Sequence, residues 1–299
     1  MQLKVDICKM QKNNILSDCR DILLLAVGNA RHNGDWNYGP INSCFTRVYY
    51  VYEGRATVHI NGRMMELLPD HLYIIPPFVT HIDRCDGVFG HYYVHFLDKD
   101  HRLLHLYSNY DLPFEIGSSL FDRQVIERLC ELCADMYIRD SHPETYENDI
   151  QIQNVIAKYN ALSEFNKIEI YSLLLTLITR FLEKSSKKNG INDDRIKRTL
   201  QTIGSEISLP ISIDRLANGV ALGKDRFIRL FKQEVGETPV RYIMKQKIER
   251  AQILLTSSDM RIKEIAYSLG FTSEAYFDRV FLLYVHLSPT DFRRQNYTV

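Results

Sequence analysis

Two different hydrophobic patterns divide the chain into a strand-rich part and a helical part. From about residue 41 to residue 98, short runs of β-branched and aromatic residues alternate with turn dipeptides. Glu53-Gly54 and Asn61-Gly62 are predicted hairpin turns, because glycine readily adopts the positive φ that tight turns require. Several short strands in succession predict a β-sandwich or a small barrel.

The period of the pattern then changes, and two helices are predicted to follow the strands. The first covers 121–139, and the second covers 161–183 with the apolar run EIYSLLLTLITRFL. The apolar positions with helical spacing in the first are Val125, Leu129, Leu132 and Met136.

A polar segment follows these helices. EKSSKKNG, at 183–190, has no apolar residue to bury and ends in glycine, which is typical of a linker. We therefore predict a first domain at 1–183, a linker at 184–191 and an all-helical second domain at 192–299.

The second domain contains an internal repeat. ISIDRLANGVALGKDRFIRLFKQEVGETPVRYI aligns with MRIKEIAYSLGFTSEAYFDRVFLLYVHLSPTDF so that the apolar positions coincide, with one extra residue in the second copy. Each copy closes with a hydroxyl residue followed by proline, at Thr238-Pro239 and Ser288-Pro289, which is a helix start. Each copy is therefore predicted to form a short helix, a tight turn and a longer helix, which is a helix-turn-helix.

In each copy the second helix has an apolar face that predicts how it is held. Ala217 and Ala266 are placed where the two helices of a copy approach most closely. The predicted core residues are Phe227, Leu230, Phe231 and Val235 in copy one, and Tyr276, Phe277, Val280, Phe281 and Tyr284 in copy two. The opposite face of such a helix is free to lie in a DNA major groove.

Charge supports a nucleic-acid partner only for the second domain. The whole chain has 37 Lys and Arg and 37 Asp and Glu, so it has no net field. Residues 191–299, however, contain 17 Lys and Arg against 13 Asp and Glu. The basic part of the chain therefore coincides with the repeat.

The cysteines and the longest apolar run indicate in which cellular compartment the protein is expected. The six cysteines are Cys8, Cys19, Cys44, Cys85, Cys130 and Cys133, and they form no pair of CxxC units that would hold zinc. Cys130 and Cys133 are predicted to be buried free thiols rather than a metal or redox pair. The apolar run ILLLAV at 22–27 is too short for a signal sequence or a membrane span, so we expect a cytoplasmic protein without a membrane partner.

The repeat resembles a known family. The segments GKDRFIRLFKQEVGETP, KIERAQILL, IKEIAYSLGFTSEAYFDRVF and SPTDFR are similar to those of the AraC/XylS transcription regulators, over roughly 193–295. The strand-rich stretch with LLPDHLYIIPPFVTH is similar to the cupin-like barrel with which many members sense a small molecule. The resemblance implies an α+β chain: a cupin-like sensor barrel with C-terminal dimerisation helices, followed by an all-α double helix-turn-helix.

The resemblance also implies DNA-binding positions. In copy one, Asp225, Ile228 and Arg229 would face bases, with Lys224, Arg226 and Lys232 toward phosphates. Arg229 is the first choice as base reader, because arginine is the commonest specific reader of guanine. In copy two the corresponding positions are Glu274, Ala275, Asp278 and Arg279.

Copy two departs from the family pattern. Leu282 and Leu283 stand where a basic pair is expected, and His286 replaces the usual glycine. Lys247, in the connecting helix, stands where arginine is common, which is a small departure for a phosphate contact but not for a bidentate one. We therefore predict that copy one supplies most of the DNA affinity, with the two leucines packing internally or meeting another protein.

The strand GHYYVHF suggests a ligand pocket in the first domain. Alternation places His91, Tyr93 and His95 on one face, and Tyr92, Val94 and Phe96 on the other. Polar aromatic side chains inside a barrel suit a small polar ligand. By resemblance, the ligand-binding candidates are His91 and Tyr93, with Arg47, Tyr49 and Trp36 in addition.

A metal-dependent barrel is the alternative to such a pocket. His59 is followed by Asn61 where a second histidine would be needed, and His81 is expected to cap a loop. His101 and His105 are four residues apart, without a third ligand nearby. We predict no metal, no cofactor and no catalysis, since no Ser/His/Asp set, phosphate loop or carboxylate pair stands out.

These observations lead to one prediction with two alternatives. The chain is expected to be a transcription regulator that senses a small metabolite, such as a sugar, and binds double-stranded promoter DNA as a homodimer, with RNA polymerase as a further partner. One alternative is a DNA-binding protein regulated by a protein partner without a small-molecule ligand. The other is a metal-dependent cupin enzyme fused to a DNA-binding domain.

Overall fold

The computed structural model describes residues 22–98, 110–187 and 191–295. They divide into two compact units. The first extends to Glu147 and resumes from Gln151 to Ser186, and the second consists of Asn148–Ile150 and the chain from Lys187 onward. Cys8, Cys19, His101, His105 and the predicted linker positions 188–190 lie outside the described residues.

The first unit is built on antiparallel strands. They are β1 (Ile22–Asn33), β2 (Tyr38–Ile41), β3 (Thr46–Gly54), β4 (Ala56–Ile60), β5 (Arg63–Leu67), β6 (His71–Ile75), β7 (His81–Arg84), β8 (Val88–Asp98), β9 (Tyr110–Asp111), β10 (Glu115–Gly117) and β11 (Ser186–Lys187). One sheet has the order β1-β8-β3-β6-β10, a second has the order β2-β7-β4-β5, and β9 pairs with β11.

The two larger sheets share an apolar core. Val58 and Leu67 from the four-stranded sheet pack with Val51, Tyr73 and Phe89 from the five-stranded sheet, and all five are fully buried. The predicted strand-rich fold is confirmed as a pair of packed antiparallel sheets. Closure as a cupin barrel stays a prediction.

The two predicted hairpins have different outcomes. Asn61-Gly62 joins the paired strands β4 and β5, and both residues have positive φ (51° and 75°). The prediction at Glu53-Gly54 is wrong, because β3 pairs with β6 and β8, whereas β4 lies in the other sheet. Gly54 there turns the chain from one sheet to the other, and a Cβ at this position would collide with the carbonyl of Val88.

Between β10 and β11 the described residues form helices. They are α1 (Leu120–Leu132), α2 (Pro143–Tyr146), α3 (Asp149–Ala161) and α4 (Glu164–Glu183). α1 packs against both α4 and β1, and Arg180 of α4 forms an ion pair with the buried Asp122 of α1, with Nε 2.8 Å from Oδ1. Dimerisation through these helices stays a prediction.

The predicted bounds of the helices were too long. The helix predicted at 121–139 ends at Leu132, where Cys133 caps it by donating to the carbonyl of Leu129. Met136 is buried as its spacing suggested, but it lies beside β1, where its carbonyl accepts from the Val27 amide at 3.1 Å. The second helix begins at Glu164 rather than 161, because the Ser163 hydroxyl caps it, and α3 was missed.

Between residues 191 and 295 the second unit is built from helices. Its helices are α5 (Asp194–Glu206), α6 (Ile213–Gly219), α7 (Lys224–Val235), α8 (Pro239–Ser257), α9 (Ile262–Ser268), α10 (Glu274–Val285) and α11 (Pro289–Gln295). The predicted starts at Thr238-Pro239 and Ser288-Pro289 are confirmed. The Thr238 hydroxyl accepts from the Arg241 amide, and the Ser288 hydroxyl accepts from the Asp291 amide. Within the predicted linker, Glu183 ends α4 and 186–187 form β11.

Each copy of the repeat has its own core. Phe227 and Phe231 of α7 are fully buried beside Ala217, and Phe277 and Phe281 of α10 are fully buried beside Ala266. Both alanines are 0–1% exposed, which confirms that the helices meet there. The spacing of the apolar residues therefore predicted which face of each second helix is buried.

Candidate nucleic-acid interface and ligand pocket

The free face of α7 is basic. Its helix is held by Phe227 and Phe231, so Arg226, Arg229 and Lys232 point to solvent and are exposed. No ion pair engages these three cations within the part of the chain that the structure describes. They are therefore available for phosphates or base edges.

The other predicted contacts in copy one are less uniform. Lys224 and Asp225 are exposed at the start of α7, where Lys224 pairs with Asp214 at 3.1 Å. Ile228 is half-buried and packs against the core of copy one. Arg229 thus projects further from the core than Ile228, and its role as base reader stays a prediction.

The corresponding face of α10 has less positive charge. Arg279 is exposed and lies over the ring of Tyr276 at 5.4 Å, and Ala275 beside it is exposed. Glu274 and Asp278 are half-buried. Burial, followed by the nearby Glu274 carboxylate, raises the pKa of Asp278. Arg279 is thus the one cation among the four predicted positions.

The two leucines of α10 face solvent. Leu282 is 51% exposed and Leu283 is 71% exposed, so the prediction that they pack internally is wrong. They lie beyond Phe281 on the helix face that turns away from the core. Of the two roles considered for them, contact with another protein remains.

Lys247 does not reach the surface. It is 2% exposed, and its ammonium donates to the carbonyls of Leu209, at 3.0 Å, and Leu269. Burial lowers its pKa to about 8. Lys247 is therefore not placed to contact phosphate, because it joins the chain after α5 to the end of α9.

Each copy has one residue with positive φ in its tight turn and one after its second helix, and the residue types differ between the copies. Copy one has Ala221 (φ 54°) in its turn and Gly236 (φ 88°) after α7. Copy two has Gly270 (φ 68°) in its turn and His286 (φ 63°) after α10. His286 therefore has a left-handed conformation that glycine tolerates better. This conformation destabilises the folded state by about 1 kcal/mol relative to glycine.

The predicted ligand-binding residues lie together in the first unit. Trp36, Tyr49 and His91 form a cluster with ring centroids 5.2–5.9 Å apart, and each is at most 4% exposed. The free space among them measures about 20 Å³, room for about one water molecule. The cluster is therefore a filled core, with no open pocket for a metabolite.

The Tyr93 side chain contacts the segment that follows α1. Its hydroxyl accepts a hydrogen bond from the Ile138 amide at 2.8 Å, and it lies directly over Gly28, where a Cβ would come within 2.6 Å of it. Burial raises the pKa of Tyr93 to about 12. Tyr93 thus anchors the segment after α1 to the sheet.

Arg47 is the centre of a buried polar network that sequence reasoning identified only in part. It is 1% exposed and forms an ion pair with Glu147, which lies 100 residues later in the chain. Its other partners are Ser43, His95 and Tyr146. Alternation along β8 placed His95 on the same face as His91 and Tyr93, but no sequence signal connected Arg47 with Glu147.

A cavity of about 610 Å³ adjoins this network. Phe45, His95 and Tyr146 line it on the side of Arg47, and Met136 and Ile138 contribute apolar surface. This volume lies in the range of metabolite pockets, about 300–1,000 Å³. The site with room for a ligand is therefore next to the predicted residues rather than among them.

Three buried histidines accompany the network. Burial lowers the pKa of His81 to about 4 and of His91 to about 3, and it lowers the pKa of His95 as well. Asp83 lies 4.0 Å from His81, and burial raises its pKa to about 7. His81 begins β7, and its Nδ1 donates to the carbonyl of Val79 at 3.1 Å, in the loop before the strand that it was expected to cap.

The first unit should lose stability in mild acid. Unfolded histidines take up protons near pH 6.5, whereas His81 and His91 remain neutral until about pH 4 and about pH 3, so stability falls as the pH drops below 6.5. His81 and His91 should each contribute a loss of about 1–2 kcal/mol between pH 7 and pH 5. Protonation of Asp83 partly offsets this loss, because its raised pKa favours the folded state in acid.

Urea unfolding at both pH values, followed by the fluorescence of Trp36, the single tryptophan, measures this loss. His91→Gln should reduce it by about 1–2 kcal/mol. Taking the difference between the two pH values cancels the packing cost of the variant. An equal acid loss in the variant and the wild type would contradict the assignment.

Other sites considered from the sequence find no support in the described ranges. No group of three or more His, Cys, Asp or Glu side chains that could hold a metal ion occurs there. Among the described cysteines, Cys130 and Cys133 are free thiols, and burial raises their pKa values to about 11 and about 12. Among the described helices, none combines the length and apolar character needed to cross a membrane.

Comparison with known proteins places the repeat in a family. Residues 216–295 match a model described as a helix-turn-helix domain. An uncharacterized HTH-type transcriptional regulator of Haemophilus influenzae is 29% identical over 155 residues, covering 50% of this chain and 49% of the relative. The chain thus spans about half the length of this relative.

A second relative matches over most of the chain. The Msm operon regulatory protein of Streptococcus mutans is 20% identical over 281 residues, covering 92% of this chain and 93% of the relative.

Two solved structures are also similar. A Chromobacterium violaceum transcriptional regulator, described by its AraC-type DNA-binding domain, is 26% identical and covers 34% of this chain and 92% of its own, with a TM-score of 0.32. ToxT from Vibrio cholerae O395 is 13% identical and covers 94% of this chain and all of its own, with a TM-score of 0.48. By the family model that they match, residues 216–295 are an AraC-type helix-turn-helix domain, and the chain is similar to proteins named HTH-type transcriptional regulators.

Proposed function

We propose that the chain is a transcription regulator that binds double-stranded promoter DNA with α7 in the major groove. The observation that carries this proposal is the exposed cationic face of α7, Arg226, Arg229 and Lys232, on a helix fixed by two buried phenylalanines. In this arrangement Arg229 reads a base edge, and Arg226 and Lys232 bind phosphates on either side.

The second copy has a smaller share in the affinity. α10 offers Arg279 alone at its predicted contact positions, with two carboxylates nearby that repel phosphate. Its exposed Leu282 and Leu283 are a surface for a protein partner, with RNA polymerase as the candidate. This surface also favours the alternative in which a protein partner regulates the chain without any small molecule.

The first unit is proposed as the sensor. The cavity beside Arg47 has the volume for a metabolite, and a sugar or another polar ligand would enter there. We further propose that α1 or α4 joins two chains into a homodimer, for which the exposed Phe121 and Phe165 offer apolar contact. Two linked DNA-binding units then occupy two half-sites, which raises affinity by effective concentration.

Selection from a random-sequence duplex library tests the DNA-binding proposal. The purified chain should retain, at near-physiological salt, a set of duplexes that converges on a shared motif. Metabolites can be added afterwards to see whether retention changes. Retention without convergence would show electrostatic binding only and would contradict sequence-specific regulation.

Substitution of Leu282 and Leu283 by lysine tests how much of the DNA affinity each copy supplies. If α7 supplies most of the affinity and the leucines do not contact DNA, the double variant should bind the selected duplex at least as tightly as the wild type. Added phosphate contacts would raise the salt dependence by about one unit per lysine. A titration by fluorescence anisotropy at several salt concentrations measures both quantities.

The matched control is the replacement of both leucines by glutamine, which removes the apolar surface without adding charge. Weaker binding of both variants than of the wild type would mean that the α10 face contacts DNA through apolar side chains, against the proposal.

A further inference from the structure

Arg47 is a buried cation in contact with Phe45, His95 and Tyr146, three residues that line the cavity. Its guanidinium lies over the ring of Phe45 at 4.7 Å and near the ring of Tyr146 at 5.8 Å. A buried guanidinium is stable only when an anion or several acceptors satisfy it. The groups that pair with the Arg47 guanidinium therefore indicate which kind of ligand could bind there.

A carboxylate from the chain itself fills that role. Arg47 Nη2 donates to Glu147 Oε1 and to Ser43 Oγ, and the Ser43 hydroxyl donates to Glu147 Oε2 at 2.7 Å. Both oxygens of one carboxylate are thus held, one by the guanidinium and one by a hydroxyl. Arg47 Nη1 donates to the Tyr146 hydroxyl at 3.1 Å and faces His95 Nε2 at 3.3 Å.

The site retains unused hydrogen-bonding capacity. Arg47 Nε and His95 Nδ1 are buried, and neither has a hydrogen-bond partner among the described residues. His95 is 3% exposed and lines the cavity of about 610 Å³. A buried polar atom without a partner at the wall of a cavity is a ready contact for a ligand.

The segment that carries Glu147 is weakly held. Glu147 caps α2, a helix of four residues with no fully buried member, and its side chain is 18% exposed. Segments that bury little apolar surface open at low free-energy cost. Glu147 can therefore leave Arg47 without unfolding the sheets.

We propose that the effector of the first unit is a small organic carboxylate that replaces Glu147 on Arg47 and Ser43. The exchange puts one carboxylate in place of another, so the buried guanidinium is never left unpaired. Its organic part lies in the cavity among Phe45, Met136 and Ile138. A neutral sugar that displaced Glu147 would leave Arg47 as an unpaired buried charge, which is strongly unfavourable. This inference rests on the proposed sensing function and names its ligand class.

Glu147→Gln tests the exchange, because it removes the competing charge and nearly keeps the shape. The full-length variant is titrated with acetate, benzoate and hexanoate, and with the amide of each acid as a neutral isostere. Calorimetry and the thermal midpoint, followed by Trp36 fluorescence, report binding. Each acid should bind the variant at least 10-fold more tightly than the wild type, and benzoate or hexanoate more tightly than acetate because their carbon chains fill the cavity.

Glu144→Gln is the matched control on the same short helix, where the side chain is exposed, and it should bind the acids as the wild type does. The proposal is overturned if no acid binds Glu147→Gln more tightly than its amide does, or if both glutamine variants respond alike. DNA binding is measured on the same preparations. Intact DNA binding together with these negative results would overturn the ligand class and leave the DNA-binding proposal standing.

Discussion

Gly270→Ala should destabilise the second unit by about 2–5 kcal/mol, the sum of a left-handed backbone cost and a collision. Gly270 has φ 68°, and a Cβ there would come within 2.6 Å of the Leu209 carbonyl carbon and 2.9 Å of the Pro210 nitrogen. Backbone atoms cannot swing aside as a flexible side chain can. The turn of copy two would therefore have to move away from the chain after α5, where Lys247 also holds it.

Gly236→Ala separates the two contributions. Gly236 also has positive φ, 88°, but an added Cβ would meet no atom within 4 Å. Its cost should be the conformational part alone, about 1–2 kcal/mol. Hydrogen exchange of amides in α9 and α10 measures the first variant, and exchange in α7 measures the second. Equal destabilisation by the two alanines would mean that the contact with Leu209 does not matter.

Removing two cations from α7 should weaken DNA binding by about 30- to 1,000-fold at physiological salt. In the double variant Arg226→Ala and Arg229→Ala, the loss of a base-reading arginine costs about 1–3 kcal/mol, and the loss of a phosphate-binding arginine adds to it. Both side chains are exposed, so the fold is unaffected. The slope of log K against log salt should fall by about one unit for each phosphate that the variant no longer binds.

Two comparisons make this result specific. Lys197→Ala with Arg198→Ala removes the same charge from exposed positions of α5 in the same unit, and it should change affinity only slightly. Arg279→Ala on α10 should have a smaller effect than Arg229→Ala on α7. A control pair that weakens binding as much as the α7 pair would show that only the general charge of the unit matters.

Local signals explain what the sequence could predict. The starts of α8 and α11 follow from a hydroxyl residue before proline, and the buried faces of α7 and α10 follow from helical spacing of phenylalanines. Asn61-Gly62 was equally predictable, because both residues of a two-residue turn must adopt positive φ. Each of these features depends on residues within a few positions of each other.

Contacts between segments that are far apart in the chain could not be predicted from the sequence. Arg47 and Glu147 are 100 residues apart, and Lys247 and Leu209 are 38 apart, so no spacing rule connects them. Nothing in the sequence indicated that Lys247 is buried, because lysine is rarely fully buried. The helix predicted to 139 failed for a related reason, since Met136 is buried beside β1 although the helix has ended.

The most direct test of the account is the capture of genomic DNA fragments on the full-length protein, at low and at near-physiological salt, with the Arg226→Ala/Arg229→Ala variant run in parallel. We expect the wild type to enrich a few promoter sites that persist at the higher salt, and the variant to lose them. Indiscriminate retention that disappears as salt rises, and that is the same for both proteins, would contradict the claim that α7 reads promoter DNA.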